Sequence, residues 1–288
     1  MENLKLCIEA AVAGGRAIEN FRPRNLKKKK DPCVGSHAIA TDADFLSQNA
    51  ITKVLAEDKN SLFITEEHVK DEEIKKQILA PQDIEKMRKS GVYIIDELDG
   101  SSPFNCGHYE WSTSIGFVKN LVHECGAVFA PKLDMLFYGT RKKSFMKSSK
   151  EENRMRVAKN KLENSFILLG PDNMLTKYPV HNKLLAQLGD ASRTINVVGS
   201  CALGLGMVAA GKADALIQPI QSPWDWAAGK VFMDAAGGTM IFYEMNAGKI
   251  VPIKKLEPKH YDPSKRMVGF VAANKTLAEQ IMDMLMKA

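Results

Sequence analysis

The chain is poor in cysteine: Cys7, Cys33, Cys106, Cys125 and Cys201 are the five among 288 residues. They are odd in number, widely spaced and include no C-x-x-C pair. That pattern argues against a disulfide framework and a zinc knuckle, and for a reducing compartment. No apolar run approaches the roughly 20 residues of a membrane span. The first twenty residues carry Glu2, Glu9 and Glu19 within a helical pattern, which a signal peptide would not. The expected address is cytoplasmic, with no membrane partner.

Several catalytic signatures are also missing. There is no G-x-S-x-G, and His123-Glu124 lacks the second histidine of H-E-x-x-H. Gly206 to Lys212 comes close to a phosphate-binding loop, but Ala213 stands where a Mg²⁺-binding Ser or Thr belongs, and the stretch reads as an apolar helix. Cys201, in Gly-Ser-Cys-Ala, reads as a small buried residue rather than a nucleophile. The net charge of +6 favours anionic partners, and small phosphates suit it as well as nucleic acid does. The run Lys27 to Lys30 reads as a solvated loop face.

What is present is a mixed pattern of elements. Apolar residues at helical spacing predict a helix over 2–21, and Thr41-Asp42 starts another that runs to about residue 57. Between them lies a polar loop with Asp31-Pro32 and Gly35-Ser36. Strands are expected near 61–65, 91–95, 111–118, 124–130 and 135–139, with a solvated helical excursion over 68–90. A basic stretch at 141–156 is expected to separate two closely joined halves, 1–153 and 154–288. The second half alternates strands (165–169, 194–198, 215–218, 239–243, 267–272) with helices (179–188, 200–211, 224–236 and one from Leu277). Strands and helices mixed in both halves predict an α/β or α+β sandwich.

The most informative stretch is Gly91 to Asn105. Val92 to Ile95 form a buried strand that delivers Asp96 and Asp99 at its carboxyl end. Gly100 frees the backbone for a sharp turn, with Ser102 read as an N-cap and Pro103 at the first helical position. Two carboxylates beside a helix start offer oxygen ligands to a cation and free N–H groups to an anion, which suits a metal-bound phosphate. A calcium loop of EF-hand type fails on spacing: counted from Gly100, its ligand positions fall on Ile95, Glu97, Asp99 and Cys106. The plainer alternative is an aspartate pair that only caps the next helix.

Further acidic residues stand at element ends: Asp42, Glu66-Glu67, and Asp225 in the first turn of a helix begun by Pro223 and Trp224. Alone, Asp225 is an ordinary helix-start charge. If the clusters converge, they need a counter-ion, and hard oxygen donors without His or Cys point to Mg²⁺.

These elements carry a resemblance. Asp96-Glu97-Leu98-Asp99-Gly100-Ser101 is similar to the Asp-Pro-Ile/Leu-Asp-Gly-Thr/Ser signature of the inositol monophosphatase family. Trp224 to Gly229, followed by Asp234-Ala-Ala-Gly-Gly238, is similar to its second signature. Thr41-Asp42 and Glu66-Glu67 match its upstream elements in order and approximate spacing. The resemblance implies a layered αβαβα sandwich of the sugar-phosphatase type, and a lithium-sensitive, Mg²⁺-dependent phosphomonoesterase that hydrolyses a small polyol or sugar phosphate. It implies two or three Mg²⁺ ions. Glu66, Asp96 and the Leu98 carbonyl would hold the first; Asp96, Asp99 and Asp225 the second. Ser101 would orient the attacking water with Asp42 behind it, and Glu66 joins them as catalytic. Gly100, Ser101 and Ser102 would contact phosphate. Gly199, Ser200, Cys201, Gln218 and Asp225 would line the alcohol side. A homodimer is the implied assembly.

The sequence also departs from the family pattern. Glu97 stands where Pro is usual; strand alternation turns it away from Asp96, so a lysine partner is expected rather than metal ligation. Thr65 replaces Gly, Pro103 replaces Asn, and Gln218 replaces the acidic residue of inositol-specific members. Alternatives within the superfamily are a fructose-1,6-bisphosphatase and a 3′(2′),5′-bisphosphate nucleotidase, the former because of Gly-Ser-Ser at 100–102. The alternative of a different class is a nucleic-acid-binding or regulatory protein that kept the fold and lost catalysis; the lysine run and basic charge are its only support.

Overall fold

In a computed structural model, residues 2–21, 27–28, 39–40, 42–170, 179–246, 248–265 and 268–288 are described. The expected polar loop with Cys33, and Thr41, fall outside them. So do Lys29 and Lys30 of the lysine run and Met267 of the last expected strand.

The first sheet has the order β3-β4-β5-β6-β7-β8-β9. Its strands are β3 (Leu62–Thr65), β4 (Gly91–Asp99), β5 (Ser112–Lys119), β6 (Val122–Ala130), β7 (Met135–Thr140), β8 (Lys143–Lys147) and β9 (Glu152–Arg154). β3 and β4 are parallel and the later pairs antiparallel. Two short strands, β1 (Lys27–Lys28) and β2 (Ile39–Ala40), pair separately. The second sheet joins β10 (Phe166–Leu169), β11 (Thr194–Val197), β12 (Ala215–Gln221), β13 (Thr239–Asn246), β14 (Lys249–Pro252) and β15 (Val268–Ala273), in the order β11-β10-β12-β15-β13-β14.

Helices complete five layers. α1 (Glu2–Ile18) and α2 (Asp42–Leu55) cover one face of the first sheet, through Leu6, Ala10, Ile51 and Leu55 against Tyr93, Ile95 and Phe117. Short helical pieces, α3 (Glu72–Lys75) and a 3-10 turn (Pro81–Arg88), fill the expected excursion, and α4 (Ser101–Asn105) follows β4. Farther along, α5 (Pro179–Ala191) precedes β11, α6 (Cys201–Ala209) follows it, α7 (Pro223–Ala235) follows β12 and α8 (Lys275–Lys287) closes the chain. α6 and α7 lie between the sheets, where Val92 and Ile94 meet Leu205, Trp226 and Phe232. α5 and α8 cover the outer face of the second sheet with Leu184, Leu188, Leu277 and Ile281. The fold is thus the expected αβαβα sandwich. Alternation along β4 explains the layering, because successive side chains serve opposite faces.

Two glycines set the height of α7. A Cβ on Gly116 would meet the Ala228 nitrogen at 2.8 Å, and one on Gly126 would meet the Ala228 Cα at 2.9 Å. The helix backbone therefore rests directly on β5 and β6. Ser114 Oγ donates to the Trp224 carbonyl at 3.3 Å, and Asp225 is carried to the carboxyl end of β4.

Some local expectations need correction. The first helix ends at Ile18 rather than residue 21. The stretch 141–156 is not a bare connection: β8 and β9, the last two strands of the first sheet, lie in it, and the charges of β9 suit an exposed sheet edge. Ser102 is not the N-cap. Gly100, at φ 95°, turns the chain in the left-handed region and caps α4 itself, so the helix begins at Ser101. Pro103 then occupies the third helical position, where its missing N–H would have had no intrahelical partner anyway.

Candidate active site

Parallel pairing of Thr65 with Ile95 places the next residues, Glu66 and Asp96, side by side where β3 ends. The ladder between β4 and β5 shifts register between Asp96 and Asp99, and that irregularity folds the strand end back into the site. Two overlapping sets of carboxylates result. One oxygen each from Glu66, Asp96 and Glu97 lie within 4.8 Å of one another, and so do oxygens from Asp96, Asp99 and Asp225. Asp96 belongs to both. Asp96, Asp99 and Asp225 are buried and Glu66 is half-buried.

Each carboxylate is held by its own local structure. Asp96 Oδ1 accepts the Leu98 N–H at 3.0 Å. Asp225 Oδ2 accepts the Ser222 N–H at 2.7 Å, bracing the first turn of α7. Asp99 accepts from Ser112 Oγ (3.2 Å), from Ser200 Oγ, and from the N–H groups of Cys201 (3.0 Å) and Ala202 (2.7 Å). The positive end of α6 thus points at a carboxylate from the other sheet.

The electrostatics identify what such a cluster needs. Burial first, then the charges of Glu66, Asp99, Asp225 and Glu97, push Asp96 well above the usual carboxylate range. Burial pushes Asp99 up to about 6, against hydrogen bonds that pull it down. Among the described residues, no Lys or Arg pairs with either. Clustered carboxylates with no His or Cys in either set fit a hard divalent cation.

The phosphate side is tightly built. A Cβ on Gly100 would lie 3.0 Å from the Glu110 carbonyl and 3.1 Å from that of Gly199, and one on Gly199 would meet Pro103 Cγ at 2.7 Å. Gly100 and Gly199 are therefore adjacent, with Ser200 and Cys201 beside them at Asp99. Ser101 Oγ donates to the Leu98 carbonyl at 3.2 Å, and Ser102 is exposed. Asp42 is the exposed first residue of α2. Gln218 is buried within β12, and its Oε1 accepts from Gln221 Nε2 at 3.0 Å.

The lysine expected beside Glu97 is not found among the described residues. Among the described residues the hydrogen-bond partner of its side chain is Gln48, whose Nε2 donates to Glu97 Oε1 at 3.0 Å and to the Glu67 carbonyl at 2.8 Å. Glu97 reaches α2, whose buried side presents Asp44, Ser47, Gln48 and Thr52, but it is not turned away from Asp96 as alternation predicts: one of its oxygens lies within 4.8 Å of oxygens from Asp96 and Glu66. Those four polar residues at helical spacing were a readable signal of a polar helix face. Ser112, which supports Asp99, carried no comparable signal.

A family model described as the inositol monophosphatase family matches residues 2–286. A fructose-1,6-bisphosphatase/inositol-1-monophosphatase of Aquifex aeolicus is 27% identical over 245 residues, 83% of this chain and 86% of that protein. The Nus factor SuhB of Haemophilus influenzae is 28% identical over 250 residues, 84% of this chain and 85% of that protein. The crystal structure of the extragenic suppressor protein suhB from Bartonella henselae shares the fold, with a TM-score of 0.79, 22% identity and full coverage of both chains.

Proposed function

The chain belongs to the inositol monophosphatase family, and from that premise we propose that it is a Mg²⁺-dependent phosphomonoesterase acting on a small polyol or sugar phosphate such as inositol monophosphate. The observation that carries this reading is the pair of carboxylate sets sharing Asp96. Glu66, Asp96 and the Leu98 carbonyl would hold one cation, and Asp96, Asp99 and Asp225 a second. When bound, the metal would supply a more acidic water and offset the negative charge of the phosphate ester and leaving group.

The chain's own groups do the positioning. The N–H groups of Gly100 and Ser101 hold phosphate at the turn into α4, and Ser102 borders them. Ser101 Oγ, now bonded to the Leu98 carbonyl, turns to orient the attacking water, with Asp42 behind it. Gly199, Ser200, Cys201 and Gln218 line the side taken by the alcohol. Because the carboxylates are buried and fixed before substrate arrives, charge stabilisation needs little reorganisation.

Phosphate release with Mg²⁺ should be measured against inositol phosphates, sugar phosphates, fructose 1,6-bisphosphate and bisphosphorylated nucleotides. Chelation should abolish turnover and added Mg²⁺ should restore it. Full activity in metal-free buffer would end this reading. Inhibition by Li⁺, a homodimer and a cytoplasmic address accompany it. The second reading is regulatory, favoured by the Haemophilus relative named a Nus factor. Salt-sensitive nucleic-acid binding without phosphate release from any substrate would favour it instead.

A further inference from the structure

Glu97 is the first residue beyond Asp96 and is fully buried. Its Oε1 is taken by Gln48 Nε2, and its Oε2 has no hydrogen-bond partner among the described residues. Among the described residues no Lys, Arg or His pairs with it. A buried carboxyl oxygen left unmet is a costly arrangement in a native fold, and it calls for a ligand.

The surroundings point to a cation. Within the set formed with Glu66 and Asp96, the oxygens lie no more than 4.8 Å apart. Two oxygens on opposite sides of one ion, at metal–oxygen distances of about 2.1–2.4 Å, are about 4.2–4.8 Å apart. The set is therefore closed enough for a single ion to touch all three carboxylates. Gln48 steadies the arrangement, since the same amide nitrogen holds the Glu67 carbonyl, next in the chain to Glu66. Thr65 Oγ1 donates to that carbonyl as well, at 2.8 Å.

We propose that Glu97 is a ligand of the first cation, so that three carboxylates, Glu66, Asp96 and Glu97, hold that ion. This inference rests on the metal-dependent reading above and adds a donor where the family has proline. A third carboxylate replaces water on the ion. It therefore shifts the site's preference away from Mg²⁺, which sheds water reluctantly, towards Mn²⁺ or Ca²⁺.

The test is Mn²⁺ binding to the full chain, followed by electron paramagnetic resonance, for the native protein and for Glu97→Gln, Glu66→Gln and Gln48→Met. The native protein should bind Mn²⁺ more tightly than Mg²⁺ in competition. Glu97→Gln, which keeps the shape of the side chain, should weaken Mn²⁺ at one site by about tenfold or more and reduce that preference. Gln48→Met removes the hydrogen bond but leaves the carboxylate, and should retain affinity within about threefold. If Glu66→Gln loses Mn²⁺ while Glu97→Gln binds as the native protein does, Glu97 is not a ligand and the metal-dependent reading stands. An equal loss in Gln48→Met and Glu97→Gln would also overturn the proposal, because Glu97 would then act by shaping the loop. If no substitution changes binding, the metal-dependent reading fails with it. Tb³⁺ luminescence lifetimes in H₂O and D₂O add a check for folded variants: Glu97→Gln should gain about one bound water, and an unchanged count would contradict ligation.

Discussion

Asp99 ends β4 of the first sheet and Ser200 caps α6, 101 residues on in the chain, and the Ser200 hydroxyl donates to Asp99 Oδ2. The N–H groups of Cys201 and Ala202 close on the same carboxylate. Asp99 is thus at once a proposed cation ligand and the anion that seats α6. Asp96 differs: it accepts the Leu98 N–H and otherwise faces other carboxylates. The two residues of one motif therefore have opposite effects on the metal-free fold.

Asp99→Asn should destabilise the metal-free protein. An amide replaces one acceptor oxygen with a donor, which meets an N–H or hydroxyl already pointing at that position. Hydrogen bonds to a charged acceptor contribute about 1.5–3 kcal/mol each, so a net loss of about 2 kcal/mol is expected. Urea denaturation in the presence of a chelator measures it, and an unchanged midpoint would show that α6 does not depend on this carboxylate.

Asp96→Asn should do the reverse. It removes a buried charge that Glu66, Asp99, Asp225 and Glu97 all repel, and Asn can still accept the Leu98 N–H through its carbonyl oxygen. The metal-free protein should hold or gain stability, while turnover falls by several orders of magnitude because both cation sets lose their shared ligand. Near-native turnover together with unchanged Mg²⁺ dependence would remove Asp96 from the mechanism. Asp225→Asn should match the loss of turnover, since it removes a ligand of the second set while its carbonyl oxygen can still accept the Ser222 N–H.

Much of this site was legible because its chemistry sits at element ends. Asp96 and Asp99 follow an apolar β-branched run, Gly100 marks a turn, and Pro223 and Trp224 open the helix that carries Asp225. Each is a local signal. Alternation in the strands and helical spacing between them made a mixed sandwich legible, and the resemblance to the family supplied its five layers. The partner of Glu97 was not legible, because it depends on which face of α2, some fifty residues upstream, lies across the sheet. The capping of α4 was missed for a smaller reason: Ser-Pro is a common helix start, but the left-handed turn at Gly100 began the helix two residues sooner. β8 and β9 were hidden by their charge, which belongs to the last two strands of the sheet rather than to a linker.

His123 should make stability fall in acid. Its ring lies between the Ala227 carbonyl (3.1 Å) and the Tyr261 hydroxyl (2.8 Å). Burial, and then the nearby charge of Lys230, lower its pKa from 6.5 to about 4, against the pull of the Ala227 carbonyl. Above pH 6.5 the ring is neutral folded or unfolded, and it contributes no pH dependence. Between about 6.5 and 4 the unfolded chain takes up the proton and the folded one does not, so stability is lost as pH falls through that window. The ring is half-buried, and the loss should be on the order of 2 kcal/mol. Urea midpoints at pH 7 and pH 4.5 measure it: His123→Gln should lose less between the two than the native protein does. Equal losses would show that the ring is free to ionise in the fold.

The alcohol preference should turn on Gln218. It lies seven residues before Asp225, where inositol-specific members of the family carry an acidic residue. Its amide oxygen already accepts from Gln221 Nε2, and Gly170 leaves the space it occupies: a Cβ there would lie 1.8 Å from Gln218 Oε1. A neutral amide so engaged is a weaker acceptor for ring hydroxyls than a carboxylate, by about 1 kcal/mol, which is several-fold in selectivity. The native protein should therefore hydrolyse inositol 1-phosphate alongside other small polyol and sugar phosphates without a sharp preference. Gln218→Glu keeps the bond from Gln221 and frees a second charged oxygen, so the ratio of kcat/KM values should move several-fold towards inositol phosphate. Burying that charge has a cost of its own, and the variant's Tm should drop even as its selectivity rises. A native enzyme that already prefers inositol phosphate strongly, with a ratio that Gln218→Glu leaves unchanged, would mean that selection is made elsewhere around the site.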